Sequence, residues 1–172
     1  MTDRVFRHAL GEFATGVAII TARSRHDELI GMTMSSFNSV SVDPPLVLFS
    51  VDRKANSLSA MLEAKGFAVN VLARDQERLS NQFARALSDK WSKVSTSVGH
   101  AEAPLIAGSL AHFECETYAQ YDGGDHVIFV ARVVHHTVHS GDAAPLIFFR
   151  GRYRDLREET EREPAWPLPM HY

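Results

Sequence analysis

The amino-acid sequence predicts a mainly-β protein, an antiparallel barrel with short helical excursions, and two observations favour this fold class. About six or seven segments have the texture of strands, either alternating or continuously apolar. Most of these segments are joined by connections of hairpin length, whereas parallel strands need long helical crossovers. An antiparallel barrel is therefore favoured over a parallel sheet.

The first third of the chain is expected to contain one helix and three strands. Residues 17–23 and 29–34 predict two strands joined by a polar turn, and the unbroken apolar residues 46–51 predict a strand buried on both faces. Before them, apolar residues at helical spacing predict a short N-terminal helix that ends at Gly16. The residues of this helical pattern are Phe6, Ala9, Leu10 and Phe13.

The middle of the chain is expected to alternate between helices and strands. Asn56 or Ser57 is expected to cap a helix over residues 58–65, and the alternating residues 67–72 predict a strand. Asp75 is expected to cap a further helix with one apolar side. That side consists of Leu79, Phe83 and Leu87.

The last part of the chain is predicted to hold three strands. Residues 88–107 have no clear pattern and are expected to be mostly loop, whereas residues 109–120, 126–139 and 145–153 predict strands. In the first of these strands the alternation predicts an inward face of Ala111, Phe113, Cys115 and Thr117 and an outward face of His112, Glu114 and Glu116. The four acidic residues and three prolines of residues 157–172 predict an irregular C-terminal tail.

Composition argues against several classes of function. The chain of 172 residues has 18 basic and 21 acidic side chains, a net charge of −3, so no nucleic acid partner is expected. No apolar run approaches the ~18 residues that span a bilayer, and the N-terminus has no apolar signal-peptide core. A single cysteine, Cys115, is expected to be a buried core thiol in a cytoplasmic protein.

Two other chemistries find little support in the sequence. A metal site in HHTVH is disfavoured, because His135 and His139 would lie ~13 Å apart on one face of a strand while His136 points away. A hydrolase is disfavoured by the absence of a G-x-S-x-G elbow. In addition, a strand would point Asp125 and His126 to opposite faces.

Two neighbouring features favour an anion-binding site instead. The first is a run of short hydroxyl side chains, which let a backbone approach a ligand closely while they donate hydrogen bonds. The run comprises Thr33, Ser35, Ser36, Ser39 and Ser41. The second is a buried strand that ends at Ser50, passes Arg53 and Lys54, and enters a helix at Asn56-Ser57. Together they suit a ligand with a phosphate, although no P-loop and no G-x-G-x-x-G turn is present.

These stretches resemble those of a known family. In order along residues 6–156 they are FATGVAIIT, GMTMSSFNSVSVDPPLVLFSV, NSLSAM, FAVNVL, LSNQFA, PLIAGSLAHFECETY, GDHVIFVARV and PLIFFRGRY. The chain resembles the short flavin reductase family, the reductase components of two-component flavin-dependent monooxygenases. The resemblance implies a split antiparallel β-barrel of the Greek-key, FMN-binding type with short flanking helices over residues 1–156.

The resemblance also implies a set of site residues. Along the flavin ring and ribityl chain these are Thr33, Met34, Ser35 and Ser36; at the phosphate, Ser50, Val51, Arg53, Asn56 and Ser57; and near the far end of the flavin, Phe83. His126, the candidate catalytic residue, would position nicotinamide over the open face of the flavin together with Tyr153. Two departures from the family pattern are Met34, where a smaller residue is usual, and Ala131, where glycine is usual.

The implied activity is that of a cytoplasmic NAD(P)H:flavin oxidoreductase. Hydride passes from nicotinamide C4 to flavin N5, a step that needs no protein acid or base. A homodimer would use FMN or FAD with NADH or NADPH and pass reduced flavin by diffusion to a separate oxygenase. Two alternatives remain: a flavin-binding sensor or carrier without turnover, and an oxidase of the pyridoxamine-phosphate type, which the GDH and SVSVDPP elements disfavour.

Overall fold

The computed structural model describes residues 3–86, 89–139 and 141–156. The helices are α1 (Asp3–Leu10), α2 (Leu58–Glu63) and α3 (Glu77–Phe83), with 3-10 turns at Arg74–Gln76 and His100–Glu102. The strands are β1 (Thr15–Gly16), β2 (Ala18–Arg23), β3 (Leu29–Met34), β4 (Asn38–Ser41), β5 (Leu46–Asp52), β6 (Gly66–Val71), β7 (Thr96–Val98), β8 (Pro104–Ile106), β9 (Ala111–Gly123), β10 (His126–Val138), β11 (Ile147–Phe149) and β12 (Arg152–Arg154).

Seven strands form one antiparallel sheet in the order β3-β2-β6-β9-β10-β5-β4. The long hairpin of β9 and β10 lies at its centre, and β3 and β4 are its two ends. Smaller sheets of β1, β11 and β12 and of β7 and β8 lie beside it. The prediction of a mainly-β antiparallel fold with short helices is therefore confirmed.

The main apolar core is shared by strands from both halves of this sheet. Ile20 of β2, Phe49 of β5, Phe67 of β6 and Phe129 of β10 belong to one buried cluster. The Phe49 and Phe129 rings stack with centroids 5.1 Å apart, and Phe67 packs against both edge-on. Since β2 and β5 are not neighbours in the strand order, the sheet must curl to bring them onto one core.

The N-terminal helix is shorter than the sequence predicts, and its apolar residues are exposed. It ends at Leu10, and Gly16 lies in β1, which pairs with β11. The side chains of Val5, Phe6, Leu10 and Phe13 are 52–74% exposed. The helical spacing indicates the helix correctly, but the surface on which this apolar side would pack is absent from the described part of the chain.

The predicted loop over residues 88–107 contains the hairpin of β7 and β8, and this hairpin changes the burial of β9. His112 and Glu114, expected to face outward, are buried. Glu114 accepts a hydrogen bond from the main-chain N–H of His100, and His112 contacts the carbonyl of Ile106 at 2.9 Å. The prediction that His112 and Glu114 face outward is wrong, because part of the unpatterned segment 88–107 covers that face of β9.

Three further element predictions need correction. The last strand is interrupted at Arg150-Gly151, where both residues have positive φ, and it forms β11 and β12. Asp75 lies inside a 3-10 turn, so it is not the residue that precedes α3. Strand β4, within the hydroxyl run, was not predicted. Leu87 and the predicted tail, residues 157–172, lie outside the described residues.

Membrane-spanning helices are absent from the described part of the chain. No helix there has both the length and the apolar content needed to cross a bilayer.

Candidate functional site

A cleft of about 610 Å³ lies where β3, the start of α2 and the end of α3 meet. Four residues of the predicted flavin site line it: Thr33, Asn56, Ser57 and Phe83. They come from three elements far apart in the sequence, and the fold brings them to one surface. Ser57 precedes α2 and its side chain makes no capping hydrogen bond, so its hydroxyl is available to a ligand.

Gly31 gives the cleft its aromatic wall. A β-carbon at this position would overlap the ring of Phe83, and Trp91 would be 3.0 Å from it. Without that β-carbon, Phe83 and Trp91 pack edge to face over β3 with centroids 4.8 Å apart. The indole N–H of Trp91 donates to the carbonyl of Leu29 at 3.0 Å, which fixes the ring against the edge of the sheet.

A hydrogen-bonded chain connects the cleft to Tyr153. The hydroxyl of Thr33 donates to the carbonyl of Ser80 at 2.6 Å, and the Ser80 hydroxyl lies 2.8 Å from the Tyr153 hydroxyl. Tyr153 also donates to the side chain of Asn81 at 3.3 Å. Strand β3, helix α3 and strand β12 are therefore held together at this point, and Tyr153 itself does not line the cleft.

Ser36 and Ser50 are linked to each other outside this cleft. The main-chain N–H of Ser50 donates to the Ser36 hydroxyl at 3.0 Å, and that hydroxyl is 3.4 Å from the Ser50 carbonyl. Part of the hydroxyl run thus joins the β3–β4 connection to β5. Ser35, between Thr33 and Ser36, is exposed.

The side chains of Met34, Val51 and Ala131 face the core. Val51 and Ala131 are buried in the main cluster, and Met34 packs against it from β3. Met34 therefore points to the opposite face of β3 from Thr33. Neither Met34 nor Val51 lines the cleft, and the methyl of Ala131 fills core volume.

Arg53 and His126 lie at the turn between β9 and β10. The Arg53 guanidinium donates to the Gly124 carbonyl at 2.8 Å and pairs with Asp122 at 2.5 Å, and this contact lowers the pKa of Asp122. His126 Nδ1 is 2.6 Å from an oxygen of Asp125, whose pKa the hydrogen bond with His126 lowers. The expectation that Asp125 and His126 point apart is wrong, because Asp125 belongs to the turn and not to β10.

Most of the cleft residues were not predicted. Three of them lie in the segment expected to be loop or in the turn before it: Arg85, Lys90 and Trp91. The Lys90 ammonium lies 3.4 Å from the Gly31 carbonyl and 3.3 Å from that of Phe83, and burial lowers its pKa. No pattern in the sequence indicates these positions, because they depend on how residues 89–91 return to β3.

Cys115, His112 and His139 take up structural positions. Cys115 is buried as predicted, and its burial raises the pKa of the thiol to about 12. His139 Nε2 lies 2.9 Å from His112 Nδ1, not beside His135. Among the described residues, no group of three or more His, Cys, Asp or Glu side chains is placed to hold a metal ion.

Comparison with known proteins gives a consistent set of relatives. The profile of the flavin reductase like domain matches residues 10–157. FMN reductase (NADH) SmoA of Agrobacterium fabrum is 42% identical over 151 residues, 88% of this chain and 84% of the relative. Two other relatives are longer, and the chain covers 48% and 42% of their lengths.

Solved structures agree with the sequence relatives. The crystal structure of nitrilotriacetate monooxygenase component B from Mycobacterium thermoresistibile superposes with a TM-score of 0.90 at 33% identity, covering 98% of this chain and 94% of that one. The Streptomyces globisporus NADH:FAD oxidoreductase SgcE6, in complex with NAD and FAD fragments, has a TM-score of 0.86 at 38% identity. It covers 92% of this chain and 96% of that one.

Proposed function

The chain belongs to the flavin reductase like domain family, and we propose that it is an NAD(P)H-dependent flavin reductase that supplies reduced flavin to a separate monooxygenase. The observation that carries this proposal is the cleft onto which Thr33, Asn56, Ser57 and Phe83 converge. These four are among the ten residues that the family resemblance of the sequence assigns to the flavin. The similarity to FMN and FAD reductases supports the same activity.

The chemistry of the cleft suits a flavin mononucleotide unit. Its volume of about 610 Å³ lies within the usual range for small-molecule sites, and it combines apolar walls with a few polar groups. Trp91, which packs on the buried Phe83, offers aromatic surface to a ring system, and Asn56 and Ser57 offer hydrogen bonds to ribityl or phosphate oxygens. Lys90 adds a positive charge.

The protein's contribution to the reaction is positioning. Bound flavin accepts a hydride from the nicotinamide, so the redox chemistry belongs to the two cofactors. Thr33 is held by Ser80 and orients the β3 edge, and the packed pair of Phe83 and Trp91 excludes water from one side of the cleft. No acid or base of the chain is needed in the hydride step.

His126 and Tyr153 are proposed to border the nicotinamide. The contact with Asp125 orients the His126 ring and leaves Nε2 directed away from this carboxylate. The hydrogen bonds of Tyr153 to Ser80 and Asn81 fix its hydroxyl beside α3. Hydrogen bonds to other residues fix the orientation of both side chains, as expected for residues that position a ligand.

The proposal extends to the assembly. A homodimer is supported by the exposed apolar side of α1, which a second copy of the chain would cover. The oxygenase partner is supported by the relative that is a component of nitrilotriacetate monooxygenase. NADH is the favoured donor, because both named reductases use it, and a cytoplasmic location is part of the same proposal.

The proposal is tested by NADH and NADPH oxidation with FMN, FAD and no added flavin. A flavin reductase oxidises the nicotinamide at a rate that saturates with added flavin and consumes one nicotinamide per flavin reduced under anaerobic conditions. Oxidation no faster than the flavin-free control would refute turnover. Flavin that stays bound through gel filtration without any oxidation would indicate the sensor or carrier instead.

A further inference from the structure

Lys90 is a partly buried cation without an acidic partner among the described residues. Within the ranges that the structure describes, its ammonium has hydrogen bonds to the carbonyls of Gly31 and Phe83, at 3.4 and 3.3 Å, which are long for charged hydrogen bonds. No ion pair within the described ranges includes Lys90. A desolvated charge with such weak partners is costly in the free protein and is stabilised when an anion arrives.

Arg53, which the sequence resemblance assigns to phosphate, is engaged elsewhere. Its guanidinium is held by Asp122 and by the Gly124 carbonyl at the β9–β10 turn, and it does not line the cleft. To reach a ligand in the cleft, Arg53 would have to give up both contacts. The charged groups that do line the cleft are Glu28, Arg85 and Lys90.

We propose that Lys90, and not Arg53, supplies the positive charge that neutralises the phosphate of the bound flavin. This inference rests on the proposed function, because it concerns the flavin bound in that cleft. A phosphate monoester carries close to two negative charges near neutral pH, whereas the oxidised flavin ring carries none. A flexible ammonium that leaves two weak carbonyl contacts is suited to such a group.

The test compares two flavins that differ only in the phosphate. Dissociation constants of FMN and riboflavin are measured by flavin fluorescence without nicotinamide, so the readout does not depend on turnover. For Lys90→Gln we expect the FMN dissociation constant to rise at least about tenfold, and the rise for riboflavin to be much smaller. Lys90→Arg should retain most of the preference for FMN, because it keeps the charge.

Lys93→Gln is the matched control. Lys93 is exposed, lies three residues from Lys90 and is absent from the cleft, so the same change of charge should leave the FMN-to-riboflavin ratio at its wild-type value. Arg53→Gln should behave like this control. Thermal unfolding of Lys90→Gln checks that this variant is folded. If it is not folded, the FMN-to-riboflavin preference of Lys90→Arg is compared with that of the wild type instead.

Equal losses for FMN and riboflavin in Lys90→Gln would overturn the proposal, since the phosphate would then not be the group that Lys90 contacts. A selective loss of FMN in Arg53→Gln alone would overturn it in favour of Arg53 as the phosphate ligand. Wild-type protein that binds neither flavin would instead refute the proposed function itself.

Discussion

Gly31 determines the shape of the candidate cleft more directly than any polar residue. Phe83 and Trp91 occupy the space next to the Gly31 α-carbon, and a β-carbon at this position would overlap the Phe83 ring. For Gly31→Ala we expect a loss of about 1–3 kcal/mol in the free energy of unfolding, together with weaker flavin binding, because the aromatic wall must move. Chemical denaturation and flavin titration measure the two effects.

Gly16→Ala is the control for that substitution. Gly16 also lies in a strand, but no atom lies within 4 Å of a β-carbon built there. Gly16→Ala should change the free energies of unfolding and of flavin binding by no more than a few tenths of a kcal/mol. If Gly31→Ala were as mild as Gly16→Ala, the close packing of Phe83 on β3 would be wrong.

His112 makes stability depend on pH. Its Nε2 donates to the Ile106 carbonyl, so in the neutral ring Nδ1 accepts from His139. Burial lowers the pKa of His112 below its usual value, and the charge of His139 acts in the same direction, while the Ile106 carbonyl and Glu114 oppose it. As the pH falls through the unperturbed pKa of about 6.5, His112 therefore takes up a proton more readily in the unfolded chain than in the folded protein. The free energy of unfolding decreases as a result.

We expect the free energy of unfolding to decrease from about pH 7.5 to about pH 5.5, and to decrease less steeply in His112→Gln. Denaturant titrations across this range measure the slope. His26→Gln, at an exposed position, should keep the wild-type slope. An unchanged slope in His112→Gln would show that this imidazole is not held neutral by the fold.

The family resemblance assigns Thr33, Asn56, Ser57 and Phe83 to one site, and the fold places them along one cleft. Their roles in flavin binding stay predictions. Lys90 was not predicted, because its position depends on how residues 89–91 return to β3. Nothing in a single sequence indicates such a long-range contact.

At the scale of elements, periodicity predicts the long strands well and the short ones poorly. Strand β3 has the predicted bounds, β5 is one residue longer at its end, and β6 begins and ends one residue earlier than predicted. The β7–β8 hairpin has three residues in each strand, too few for a repeating pattern. Missing it caused the error at His112 and Glu114, since the burial of β9 depends on this hairpin.

Helix α1 carries a prediction about association. If its exposed apolar side is covered by a second copy of the chain, Phe6→Ser with Leu10→Ser should raise the dimer dissociation constant at least about tenfold, because each side chain loses about 1.5–3 kcal/mol of burial. Sedimentation equilibrium measures this constant.

Val98→Ser is the control for the α1 variant, because Val98 is 72% exposed but lies on β7. It should leave the dissociation constant unchanged. A dimer of undiminished affinity in the α1 variant would place the interface elsewhere.

At the scale of the whole molecule, one curled antiparallel sheet serves two purposes. Its inner face holds the aromatic cluster of Phe49, Phe67 and Phe129, and its β3 edge meets α2 and α3 to form the cleft. Hairpin-length connections make the antiparallel class predictable. The curl is not predictable in this way, since it depends on side-chain packing between strands that are far apart in the sequence.

Binding of the reducible flavin in this cleft is tested most directly by the flavin KM for NADH oxidation. This KM is measured for the wild type and for Asn56→Ala with Ser57→Ala, with Ser97→Ala on β7 as the control. We expect flavin-dependent oxidation by the wild type and a KM at least about tenfold higher in the double variant, from the loss of two hydrogen-bonding side chains. A wild-type KM in the double variant would place the flavin elsewhere, and no flavin-dependent oxidation by the wild type would contradict the account.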